Sequence, residues 1–138
     1  MIRFYSIEIP FRFSNKKKYY SWIRNVAKIH GKEIKSLSVN FCSDSYLLQL
    51  NKQFLNHDYY TDIITFDYCN GNDVYGELYI SVDRVKENAE ENGIYFGEEL
   101  NRVIIHGVLH LLGFKDKTIQ QSREMRRMEE ASLKVLDI

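Results

Sequence analysis

The sequence predicts an α+β fold: one domain over residues 1–138, with a mixed sheet of about four strands, helices packed against it and a His-bearing helix at the centre. Three observations lead there. Short runs rich in Ile, Val, Phe and Tyr alternate with longer segments of helical period. The chain has 138 residues, 44% hydrophobic and 14% aromatic, with one proline and seven glycines, which suits one core and excludes linker-rich or collagen-like chains. Its longest apolar run, Val103 to Phe114, holds two histidines and falls well short of the roughly 20 residues of a membrane span.

The elements follow in order. Residues 2–9 carry enough Ile, Phe and Tyr for a strand, closed by Pro10. Ser14 is placed to cap a helix whose apolar stripe is Tyr19, Ile23, Val26, Ala27 and His30, ended by Gly31. Leu37, Val39 and Phe41 alternate as in a half-buried strand. Ser43 caps a second helix with Leu47, Leu50 and Phe54 on one face. Thr61 to Tyr68 and Val74 to Ile80 read as strands joined by the Asn70-Gly71-Asn72-Asp73 turn, hence a hairpin. Ser81 caps a short helix carrying Val82, Val85 and Ala89 up to Gly93. Phe96 to Leu112 is helical and becomes apolar on every side, which marks its second half as buried. From Thr118 a last helix turns Met125, Met128, Ala131, Ser132 and Val135 inward.

The chemistry concentrates in the buried helix. His106 and His110 are four residues apart, so both imidazoles stand on one face about 6 Å apart along the axis. Gly113 supplies the left-handed turn at which the chain doubles back, and Asp116 then reaches the same point. Two nitrogens and a carboxylate suit one Zn²⁺ ion and leave a fourth tetrahedral position open, as a hydrolase requires. A buried histidine is usually a satisfied core residue, but two in a dry helix would each need a partner. Asp116 alone has a second reading, as a cap for the helix beginning near Thr118.

H-x-x-x-H-x-x-G-x-x with a third ligand ten residues after the first is the metzincin arrangement. Metzincin peptidases, however, place a glutamate directly after the first histidine, where this chain has Gly107. More specifically, His106-Gly-Val-Leu-His110-Leu-Leu-Gly113-Phe114 resembles the signature of the YbeY-type endoribonucleases, or rRNA maturation factors. Leu50-Asn51-x-x-Phe54, Asp58 and Thr61-Asp62-Ile63-Ile64-Thr65-Phe66 resemble a second block of that family. Gly76-Glu77-Leu78-Tyr79-Ile80-Ser81 is similar to a third, and Met125 with Glu129 to its final helix. The resemblance implies a zincin-related topology and a zinc-dependent endoribonuclease of single-stranded RNA, acting on rRNA or the ribosomal subunit in the cytoplasm. Three departures stand out. Asp116 occupies the third-ligand position where the family has histidine, Leu55 replaces an arginine, and His57 and Tyr60 replace a lysine and a proline. His57 is a phosphate or proton donor, or else an exposed loop histidine. Glu98 and Glu99 are further candidates for proton transfer, with no role assigned to either.

Net charge is zero but unevenly spread. Residues 1–40 carry nine Lys and Arg against two acids, and the remainder is acidic. Such a split suggests a basic face for a polyanion or a merely solvated first helix. With the resemblance, Lys16, Lys17, Lys18, Arg24 and Lys28 become the expected contacts to RNA phosphates. The N-terminal MIRFYSIEIPFRF lacks the uninterrupted apolar stretch of a signal peptide, and Cys42 and Cys69 form neither a C-x-x-C motif nor a disulfide framework. Two rivals remain at this level: a non-catalytic ribosome-assembly factor with a structural metal, favoured by Leu55, and a zinc peptidase, disfavoured by Gly107.

Overall fold

A computed structural model describes residues 1–136. The chain runs through β1 (Ile2–Ser6), α1 (Lys16–Ile29), β2 (Glu33–Cys42), α2 (Asp44–Leu55), β3 (Ile63–Asp67), β4 (Asp73–Ser81), α3 (Val82–Asn92), α4 (Phe96–Leu111) and α5 (Ile119–Leu136). The strands form one mixed sheet in the order β1-β2-β4-β3. β1, β2 and β4 are parallel, and β3 with β4 is the antiparallel hairpin that the Asn-Gly-Asn-Asp turn predicts, closed by an Asn70–Asp73 bridge. α1 makes the crossover between β1 and β2 that a parallel pair requires.

Alternation assigns the two faces. Phe4, Leu37, Val39, Phe41, Leu78 and Ile80 point toward a layer made by α1, α4 and α5, and join the main core. Ile64, Phe66, Cys42 and Tyr79 point the other way and meet α2, which covers only that end of the sheet. α4 lies at the centre of the helical layer, with Val103, Ile104, Ile105, Val108 and Leu109 all buried. No helix of the described residues is long and apolar enough to cross a membrane.

Several expectations about the elements are corrected. β1 stops at Ser6, and β2 begins at Glu33, because main-chain pairing with Asp73 and Val74 extends a segment too polar to look like a strand. Asn15 rather than Ser14 precedes α1, in a left-handed conformation and without a side-chain cap. Trp22, absent from the expected stripe, is buried, and its indole N–H donates to the Ser132 carbonyl at 2.7 Å. Phe54 is exposed, because the end of α2 overhangs β3 and only an edge-to-face contact with Phe66 holds the ring. Ala131 is exposed too. The fully buried residues of α5 are Met125, Glu129, Ser132 and Leu136, so a carboxylate joins the inward stripe, and Met128 and Val135 are half-buried beside it.

Gly107 shows how tightly α4 is pressed onto the sheet. A β-carbon there would lie 2.6 Å from Ile63 Cδ1 and 2.9 Å from Leu78 Cδ2. Mid-helix glycine costs about 1 kcal/mol relative to alanine, so close approach is the compensating reason for it. Overpacking of this kind costs about 1–3 kcal/mol. Gly107→Ala is therefore expected to lower stability by up to about 2 kcal/mol net, read from the urea midpoint at unchanged slope.

Candidate metal centre

α4 delivers two of three converging side chains. His106 Nε2 and His110 Nε2 lie 3.1 Å apart. The helix then closes in a Schellman motif, with the Phe114 N–H donating to the Leu109 carbonyl and the Gly113 N–H to His110. Gly113 has φ 105°, a conformation that glycine alone adopts without strain. The reversal brings Asp116 Oδ2 to 3.3 Å from both His106 Nε2 and His110 Nε2. The alternative reading of Asp116 as a helix cap does not describe its contacts. Thr118 Oγ1 accepts from the Gln121 N–H at 3.0 Å, and Gln121 Oε1 accepts from the Lys117 and Thr118 N–H groups, so α5 is capped by its own box.

Three donors about 3.1–3.3 Å apart are near enough to converge on one ion; for comparison, tetrahedral bonds of 2.0–2.2 Å place donors roughly 3.3–3.6 Å from one another. These residues are the one His/Cys/Asp/Glu group among the described residues whose donors converge in this way. The side chains are 24%, 29% and 38% exposed for His106, His110 and Asp116, so the centre opens to solvent on one side. The donor set fits a divalent ion.

Behind the trio stands a carboxylate from α5. Glu129 Oε2 accepts from His106 Nδ1 at 2.7 Å. In neutral His106 that bond places the proton on Nδ1 and leaves the Nε2 lone pair facing the other two donors. Arg102 on α4 donates to Glu129 Oε1 at 3.0 Å and to Glu130 at 2.8 Å, so the carboxylate is held from both sides. Burial by itself pulls the His106 pKa down, but the Glu129 hydrogen bond and charge, with Asp116 and Asp62 added, raise it above the ordinary imidazole value. Burial pushes Glu129 the opposite way, yet its bonds to His106 and Arg102 hold it below the usual carboxylate range.

Two more acids belong to the surroundings. Asp62, just before β3, has its carboxyl raised by burial, against the opposing pull of His106. Glu99, two turns before His106 on α4, is raised by burial and by the charge of Asp62. The sequence pattern assigns no role to Asp62, Glu129 or Arg102. The available signal was Glu129 itself, a charge recurring on an otherwise inward stripe.

The remaining candidates are not assembled with the trio. Glu98 is exposed in the first turn of α4, whereas Glu99 is buried. His57 sits in the exposed connection after α2, stacked on Tyr59 at 5.1 Å between ring centroids, with Nδ1 3.0 Å from the Tyr59 hydroxyl. Lys16, Lys17, Lys18, Arg24 and Lys28 are all exposed on α1 and make no ion pair among the described residues. They do not share one face. Lys16 and Lys17 flank β1, while Lys18 lies beside Trp22 and Val135 at the end of α5.

Comparison with known proteins agrees with this geometry. The sequence model of the Endoribonuclease YbeY family matches residues 7–137. A protein of Bacteroides thetaiotaomicron named Endoribonuclease YbeY is 50% identical over 121 residues, 88% of this chain and 86% of its own length. One of the same name from Flavobacterium psychrophilum is 42% identical over 134 residues, 97% of this chain and 96% of its own. In three dimensions the chain is similar to a Thermotoga maritima protein solved in solution, with a TM-score of 0.68 and 29% identity, covering 99% of this chain and 89% of that one.

Proposed function

Because the chain belongs to the Endoribonuclease YbeY family, we propose that it is a metal-dependent endoribonuclease that cuts single-stranded RNA in rRNA maturation and ribosome quality control. In this reading residues 1–138 act as one hydrolase domain, in the cytoplasm, with one Zn²⁺ ion per chain and rRNA in the ribosomal subunit as substrate. The observation that carries it is the triangle of His106, His110 and Asp116 donors with Glu129 behind.

A divalent ion held by those three groups supplies a Lewis acid for a phosphoryl oxygen and makes water more acidic. The chain's own residues do the rest. Glu129 keeps His106 in the tautomer that presents Nε2, and Arg102 keeps Glu129 in place. Of the two acids, Glu99 is the better placed for proton transfer, because it is buried on α4 with its carboxyl raised by that burial, whereas Glu98 is exposed. His57, on an exposed loop two residues beyond Leu55, is a candidate phosphate contact at the position of the family lysine. Lys16, Lys17, Lys18, Arg24 and Lys28 provide sequence-independent attraction for the phosphate backbone.

A peptidase is disfavoured on packing grounds. The position after the first histidine, where a metzincin carries its glutamate, is Gly107, and Ile63 and Leu78 fill the space into which any side chain would project. The exposed Leu55 gives some support to a non-catalytic assembly factor whose metal is structural. Incubating the metal-loaded chain with short structured RNA and with casein, with and without chelator, separates the three. Cleavage of RNA alone, abolished by chelator, is expected. Metal binding without cleavage of either substrate supports the assembly factor, and cleavage of casein the peptidase.

The α1 cations carry their own expectation. Changing Lys16, Lys17 and Lys18 together to Gln should weaken RNA binding about equally across sequences. It should also reduce the slope of log affinity against log salt by roughly one for each phosphate that is no longer neutralised. An unchanged salt slope would contradict a backbone-tracking role for these cations.

A further inference from the structure

We propose that the open outer face of the sheet is a stacking platform for single-stranded RNA, continuous with the basic edge formed by β1 and α1. The proposal rests on the nuclease reading and adds a second RNA surface away from the metal centre. α2 covers the outer face only where Ile64, Phe66 and Tyr79 lie. The rest forms a depression of about 740 Å³ lined by Arg3, Tyr5, Ser38, Tyr68, Tyr75 and Glu77. Tyr5 is 46% exposed, Tyr75 39% and Tyr68 59%, an unusual density of bare aromatic rings for one sheet face.

The register sets their arrangement. Tyr5 pairs with Asn40 on β2, Arg3 with Ser38, and Ser38 in turn with Glu77 on β4. Ser36 pairs with Tyr75, and the Tyr68 N–H donates to the Tyr75 carbonyl at 2.9 Å, which places the last two tyrosines side by side. With strands about 4.8 Å apart and about 3.3 Å per residue, Tyr5 and Tyr75 lie roughly 16 Å apart on a diagonal, and Arg3 falls between them. That span suits a few consecutive bases on a β-sheet, with aromatic rings and a guanidinium plane as stacking partners.

Charge complementarity argues for a polyanion as the occupant. A second depression, of about 530 Å³, shares Arg3 and Tyr5 with the first and adds Lys16 and Lys17 from α1. Phosphates leaving the tyrosines toward the β1 edge therefore meet three cations in succession. Of the residues lining the depression Glu77 is the one acid, and it accepts from the Tyr68 hydroxyl at 3.2 Å and the Tyr79 hydroxyl at 3.4 Å, so it anchors tyrosine side chains around the platform; Glu33 and Asp73 pair beyond Tyr75 at the far end of the face, where Lys35 Nζ lies 3.2 Å from Glu33. Ser36 and Ser38, small and polar, leave the rings between them and the solvent unobstructed.

The test is binding of a fluorescent ten-nucleotide oligouridine to the metal-loaded chain, compared with Tyr5→Ala/Tyr75→Ala and Tyr5→Phe/Tyr75→Phe, with metal content and circular dichroism confirming an intact fold. The alanine pair is expected to bind about tenfold or more weakly and the phenylalanine pair within about twofold of the parent, because stacking needs the ring and not the hydroxyl. Photocrosslinking with 5-iodouridine RNA should label Tyr5 or Tyr75. Should the parent bind and cleave RNA while the alanine pair binds as tightly and crosslinks avoid the sheet, the platform is overturned, the nuclease reading stands and the face is left to a protein partner. Equal losses in the alanine and phenylalanine pairs also overturn it. A parent that neither binds nor cleaves RNA removes the nuclease reading and the platform with it.

Discussion

Asp116→Ala is expected to lower affinity for a divalent ion by a hundredfold to a thousandfold. Zinc bound by four protein ligands is held by roughly 10–16 kcal/mol, so one ligand represents about 2.5–4 kcal/mol. Asp116 is the natural residue for this test because its oxygen stands equally far, 3.3 Å, from both histidine nitrogens and takes no part in capping α5. Its removal should leave folding nearly intact, within about 0.5 kcal/mol for the metal-free chain. Asp116→His is expected to keep a site and to shift its preference toward zinc, since a carboxylate oxygen is a harder donor than imidazole and leaves the centre one unit less positive. Isothermal titration with Zn²⁺ and Mn²⁺ reads both effects. Unchanged affinity in Asp116→Ala would reduce the motif to its two histidines.

Glu129→Gln should weaken metal binding by about 10- to 100-fold, although Glu129 is not one of the three donors and acts through its bond to His106. The neutral amide can still accept from His106 Nδ1, but it no longer opposes the charge of the imidazole or that of Arg102. Without metal, His106 has a raised pKa, so the stability it contributes is present below its unfolded value near 6.5 and is lost as pH rises through the folded one. Glu129→Gln should therefore flatten the rise in metal-free stability that the parent shows on acidification through neutrality. Denaturant midpoints across pH 6–8.5, a window set about the reference imidazole value, check this alongside the metal titration. A variant with parental affinity and parental pH dependence would reduce the Glu129–His106 bond to packing.

The main layout of the fold was legible because its signals are periodic. The hairpin declared itself through Asn70 to Asp73, and the central helix through an apolar surface on every side interrupted by two histidines. The metal trio was legible for a similar reason: all three residues belong to one helix and its glycine reversal, so local spacing is enough. What lay hidden depends on distant chain segments. The first half of β2 is polar and becomes a strand only by pairing with β4. Glu129 is 23 residues from His106 and faces inward only because Arg102 and His106 await it. Asp62 comes within electrostatic reach of His106 through the seating of β3 under α4, which no periodicity encodes. Ala131 and Phe54 were placed by helical spacing alone and proved exposed, since nothing packs over those parts of α5 and α2.

The most direct test is a titration of the metal-free chain with Zn²⁺ while cleavage of a single-stranded RNA is followed. Activity should be absent at the start, rise in proportion to added metal and level off at one equivalent per chain. Full cleavage by chelator-treated protein before any metal is added would contradict the assignment of His106, His110 and Asp116 as the centre on which the nuclease depends.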